Sequence, residues 1–175
     1  NCNENGYFTE YFSDRYGFNN EDIEWDKRVI EFLLIGDSHT LGDCVNREDN
    51  IASNLIRLKK NDNGVLSLGY KGNDTLLEYA SLREYLPHIN TKYVLWLYFE
   101  GNDLDGLSKE LQIETFKKYL DDENYSQNLF FRQDQINIKN KELMNEVHKT
   151  WKKSQNFGNV DDDKEIFKFM KLYNL

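Results

Sequence analysis

Val29-Ile30-Glu31-Phe32-Leu33-Leu34-Ile35, followed at once by Gly36-Asp37-Ser38-His39-Thr40-Leu41-Gly42, decides how this chain is read. The first seven residues are apolar except for Glu31 and rich in branched side chains, the composition of a strand buried on both faces. Gly36-Asp37 ends the run and turns the chain, so that a serine stands at the start of the next segment. Two later stretches repeat the plan. Val65-Leu66-Ser67-Leu68 runs into Gly69-Tyr70-Lys71-Gly72-Asn73, and Tyr93-Val94-Leu95-Trp96-Leu97-Tyr98-Phe99, again apolar on both faces, breaks at Glu100-Gly101-Asn102-Asp103.

Helical patterns separate these strands. Ile51, Leu55 and Leu58 recur at helical spacing within residues 48–60, and Asn61-Asp62-Asn63-Gly64 stops them. Leu76, Tyr79, Ala80 and Leu82 mark an inward face within residues 75–86, closed by Pro87. Strands joined by helices of this length pair through crossovers, which make the sheet parallel and put helices on both its faces. The expected fold is therefore α/β, a flavodoxin-like three-layer sandwich with a parallel central sheet. Residues 1–28 read as a lead-in segment, with residues 13–20 a short strand running into a turn, and residues 29–175 as a single domain. Beyond Leu104 the chain turns polar and helical, over 107–120, 133–152 and 163–172, with no fourth core strand. Tyr125-Ser126-Gln127-Asn128-Leu129 reads by its position as a lid or cover.

Composition narrows the function classes. With 39% hydrophobic and 14% aromatic residues, the 175-residue chain has the apolar content to fold as one compact core. A net charge of −9 argues against sequence-independent nucleic-acid binding, which needs a surplus of Lys and Arg on some face. The longest apolar runs fall far short of the ~20 residues that span a bilayer. Asn1 in place of Met leaves room for a removed signal or anchor ahead of it. A Cys2–Cys44 bond would suit an oxidising, extracytoplasmic compartment such as the periplasm, and two independent thiols are the alternative. Asp161-Asp162-Asp163 reads as a solvated helix N-terminus rather than a metal site.

Ligands of an open parallel sheet bind outside the carboxyl ends of its strands, and all three such ends here carry chemistry. They offer a hydroxyl at Ser38, backbone amides in the Gly69–Asn73 loop and a carboxamide at Asn102. Ester cleavage through a serine needs donors aimed at the developing oxyanion, each worth ~2.7–4 kcal/mol of transition-state stabilisation.

Gly36-Asp37-Ser38 after a hydrophobic strand, Gly72 in the second loop and Gly101-Asn102-Asp103 after the third strand together resemble the first three blocks of the SGNH, or GDSL-type, hydrolases. The resemblance covers residues 29–105. It implies that Ser38 is the nucleophile and that the Ser38 N–H, the Gly72 N–H and the Asn102 side chain form an oxyanion hole. Asp37 then shapes the turn, and Asp37, His39 and Asp103 lie at the substrate. The implied reaction is hydrolysis, or acyl transfer, of a carbohydrate or lipid acyl ester through an acyl-serine, with no metal or organic cofactor.

Two departures stand out. His39 occupies the place of the family's Leu or Phe, and as the nucleophile's neighbour it reads as packing or rim rather than base. The closing Asp-x-x-His block is absent. His88 follows Pro87 at a helix end and reads as structural, while Asn145-Glu146-Val147-His148 has the spacing without the acid. The block is expected beyond Leu175, and without it the serine would keep a residual ~10³–10⁴-fold effect over water. The alternatives are a catalytically silent module with the same pocket, and a nucleotide-binding Rossmann-like domain, although Gly69-Tyr70-Lys71-Gly72 lacks the full G-x-G-x-x-G.

Overall fold

A computed structural model describes residues 9–101 and 103–157, with side chains through Lys152. Its contacts divide the chain into two compact units, Asn1–Phe131 and Arg132–Leu175. In the first, β1 (Ile30–Gly36), β2 (Gly64–Ser67) and β3 (Thr91–Leu97) form one parallel sheet in the order β2-β1-β3. The α/β class with a parallel sheet is therefore as expected. β1, rich in branched and aromatic residues, takes the centre, and a register shift between Ile30 and Phe32 sets its pairing with β2.

Two cores flank the sheet. Ile30, Leu33, Ile35, Leu66 and Leu68 pack with Phe18 and Tyr85 on one side, and Leu34 and Val65 pack with Ala52 on the other. Tyr85 ends α3 (Thr75–Tyr85) and Ala52 lies in α2 (Ile51–Leu58), so each face carries a helix. α1 is the single turn Ser38–Leu41 directly after β1. The pattern expected over 107–120 is two helices, α4 (Asp103–Glu110) and α5 (Glu114–Asp121). Apolar spacing continues through Leu111 and Ile113, which hides the break from the sequence.

Two expectations change. β3 is not buried on both faces: Tyr93 is 55% exposed and Trp96 40%, because β3 is an edge strand among the described residues. Residues 13–20 form a turn without a strand, yet they reach the core. Buried Asp14 accepts the N–H groups of Tyr16 and Phe18, the Asn20 carboxamide and the Trp25 indole. Asn20 then pairs with β2 as a strand would, its Oδ1 accepting from Ser67 N–H (2.8 Å) and its Nδ2 donating to Ser67 C=O (3.0 Å). The Glu24 carboxylate accepts from Val65 N–H, so side chains of the leading segment close the β2 edge.

The second unit, by itself, contributes α6 (Gln133–Phe157), a long polar helix with a Lys139–Glu142 ion pair and His148 stacked on Trp151. Among the described residues no helix is long and apolar enough to cross a membrane. The expected helix over 163–172 and the Asp161-Asp162-Asp163 run lie outside the described residues.

Candidate functional site

Backbone geometry presents Ser38. Asp37 caps α1, its Oδ1 accepting from the His39 N–H at 2.8 Å. Gly36 is required just before it: a Cβ there would collide with the Thr40 side chain and stand 2.9 Å from the Leu97 carbonyl of β3. Ser38, half-buried, occupies the first helical position, whose N–H has no acceptor within the helix. Its hydroxyl donates to Asp37 Oδ2 at 3.5 Å, and the His39 ring Nδ1 lies 3.2 Å from the same oxygen. Asp37, 2% exposed, is thus shared by the serine and the imidazole, while His39 is exposed and packs its ring on Phe99 at 4.6 Å. Asp37 therefore shapes the turn, and His39 lies exposed beside it.

The loops after β1 and β2 are stitched together. Tyr70 N–H donates to the Gly36 carbonyl, Ser67 Oγ donates to the Thr40 carbonyl, and Lys71 forms an ion pair with Asp43 at 2.7 Å. Gly72 is exposed, has φ +83° and has nothing within 4 Å of where a Cβ would stand. A side chain there would be strained by conformation rather than by crowding. Cys44, also at positive φ, lies in the loop after α1 and is disulfide-bonded; Cys2, the only other cysteine in the sequence, lies outside the described residues.

The loop after β3 closes on Asp103. Its Oδ2 accepts from Phe99 N–H at 2.6 Å, and its carbonyl accepts from the Thr75 hydroxyl at 2.9 Å. Asp103, expected at the substrate, has no exposed surface and works on the loop instead. Glu100, in the same loop, is exposed. Asn102 lies outside the described residues.

Around this turn the structure gathers carboxylates that the sequence did not single out. Glu78, 1% exposed, accepts the Trp96 indole N–H at 2.7 Å, and burial pushes its carboxyl up to about 7. Glu110 accepts the N–H groups of Asp74, Leu76 and Leu77 and so caps α3. Burial raises Asp74, Asp103 and Glu110 as well. A glutamate within a helix reads as a solvated residue, and only Thr75, one turn before Glu78, hinted at a polar face. No group of three or more His, Cys, Asp or Glu among the described residues is arranged to hold a metal ion.

The other histidines stand apart. His88 stacks on Phe130 and contacts Phe131, a packing role at the helix end, and His148 belongs to the second unit. The segment expected as a lid is fastened to the far end of α3. Glu84 accepts from Ser126 Oγ and from the Gln127 and Leu129 N–H groups, which ties that segment beside Tyr85 rather than over Ser38.

Comparison with known proteins leaves the site to its own geometry: no family model, no curated protein and no solved structure matches this chain.

Proposed function

We propose that this chain is an SGNH-like serine hydrolase or acyltransferase core, of flavodoxin-like architecture, in which the Ser38 hydroxyl attacks an acyl ester of a carbohydrate or lipid. One observation carries the reading. A half-buried serine begins a helix immediately after the central parallel strand, and the loops from both neighbouring strands are fastened to that turn, through Tyr70–Gly36 on one side and Phe99–His39 on the other. The strand order reverses at this point, where open α/β sheets bind ligands. Free amides at the first helical position and in the glycine loop supply donors of the kind an oxyanion needs. Asn102 is assigned the third donor from the resemblance alone.

The step forms a bond from Ser38 Oγ to the carbonyl carbon and expels the alcohol, leaving an acyl-serine that water or another acceptor then cleaves. The hydroxyl proton needs an acceptor of suitable basicity, and Asp37 Oδ2 is the acceptor it faces here. That hydrogen bond favours a second reading, a module that binds acyl esters without turning them over, since no imidazole among the described residues bonds to the Ser38 hydroxyl. A fluorophosphonate probe separates the two. The hydrolase reading expects modification of the peptide bearing Ser38, lost in Ser38→Ala; an unmodified serine in protein shown to be folded supports the silent module.

A further inference from the structure

Among the buried side-chain oxygens without a partner, two are carboxylate oxygens on α3 and α4. Glu78 Oε1 and Asp103 Oδ1 have no hydrogen-bond partner, although Glu78 is 1% exposed and Asp103 not at all. A buried ionised oxygen without a donor is costly, and two of them interacting are costlier still. Every other demand on these groups is met: Glu78 Oε2 holds the Trp96 indole and Asp103 Oδ2 holds the Phe99 amide.

The pair is placed to resolve itself. The Asp103 carbonyl sits on the Thr75 hydroxyl, and Glu78 lies one turn further along the same face of α3. Helical side chains lean toward the N-terminus of their helix, which carries the Glu78 carboxyl back toward Asp103. We propose that Glu78 stays protonated and donates to Asp103 Oδ1, and that this acid–carboxylate pair positions the loop that packs Phe99 against His39 beside Ser38.

The proton resides on Glu78 because glutamate is the weaker acid and Asp103 already accepts a short backbone hydrogen bond. The charged surroundings favour its retention. Asp37 and His39 face the pair from the β1–α1 turn, Asp74 lies against Asp103 from the start of α3, and Glu110 faces Glu78 from α4. Carboxylates dominate that set, and an ionised Glu78 would add to them. An extra negative charge would also oppose an oxyanion formed nearby, so the device serves the proposed chemistry. It deepens that reading, but its tests use no Ser38 reactivity and can be run on Ser38→Ala protein.

Infrared difference spectra of the whole chain test the proton directly. A protonated carboxyl C=O band is expected one pH unit below about 7 and lost one unit above it, absent in Glu78→Gln, and shifted in midpoint by about one unit in Asp103→Asn. Amide exchange then tests the positioning role: Phe99 N–H is expected to lose about tenfold of its protection as Glu78 ionises, and to keep it in Glu78→Gln. If either variant fails to fold, the wild-type band and the Phe99 exchange profile still decide. A Glu78 that titrates as an ordinary glutamate overturns the shared proton, and Phe99 protection indifferent to that titration overturns the positioning role.

Discussion

Glu78 and Glu84 lie six residues apart on one helix, both almost wholly buried, and they live by different rules. Glu84 is saturated. One oxygen accepts the Tyr119 hydroxyl (2.5 Å) and the Gln127 amide (2.6 Å), and the other accepts the Ser126 hydroxyl (3.0 Å) and the Leu129 amide (2.8 Å). Four donors make it a mechanical joint that fastens the segment after α5 to the end of α3 away from Ser38. Glu78 has one donor, the Trp96 indole, and an orphan oxygen, at the end near Ser38. Most buried polar groups in folded proteins find partners, so the shortfall at Glu78 calls for an explanation that Glu84 does not.

The largest expected effect is at the saturated member. Glu84→Ala leaves two partly buried amides, the buried Tyr119 hydroxyl and the Ser126 hydroxyl without their acceptor and is expected to cost about 4 kcal/mol in urea unfolding. A loss under about 1 kcal/mol would erase the contrast. The Tyr119 hydroxyl, raised by burial and by Glu84, should stay protonated throughout the accessible pH range.

Next comes the pH dependence of Glu78. Its carboxyl moves from the ordinary 4.5 to about 7 on folding, so between those values the unfolded chain releases a proton that the folded chain keeps. Stability is therefore full below 4.5, falls as pH rises, and is lower by about 3 kcal/mol above 7. Chemical denaturation of wild type against Glu78→Gln checks this, and an unchanged slope in the variant would assign the dependence to other carboxylates. Trp96→Phe removes only the indole donor to Glu78; it is expected to cost about 1 kcal/mol and to raise the Glu78 midpoint further, since the donor favours the charged form. The smallest effect is expected at the cap, where Asp37→Asn keeps an acceptor for the His39 amide and should cost under about 0.5 kcal/mol by thermal unfolding.

The strands and their order were legible in the sequence because Val29–Ile35, Val65–Leu68 and Tyr93–Phe99 are apolar runs ended by glycine turns. Their rank in the sheet was not. β1 and β3 look alike as strings, but the β2-β1-β3 order buries the first and leaves the second at an edge, a decision taken by topology rather than by pattern. The leading segment hid its role for a related reason: Asp14, Asn20 and Glu24 read as loop residues and prove to be buried hydrogen-bonding groups. Of the site, the Ser38 turn was readable from Gly36-Asp37 after a strand. Glu78 and Glu110 were not, because a helical glutamate reveals its burial only when the elements across from it are in place.

The central claim is that Ser38 is an acyl acceptor. Brief incubation with an aryl acetate, followed by acid quench and peptide mass analysis, measures it directly. The expected result is an acetyl adduct on the Ser38 peptide that forms with a burst of phenolate and is absent in Ser38→Ala. Phenolate release with no adduct, or an adduct that persists in Ser38→Ala, would contradict it.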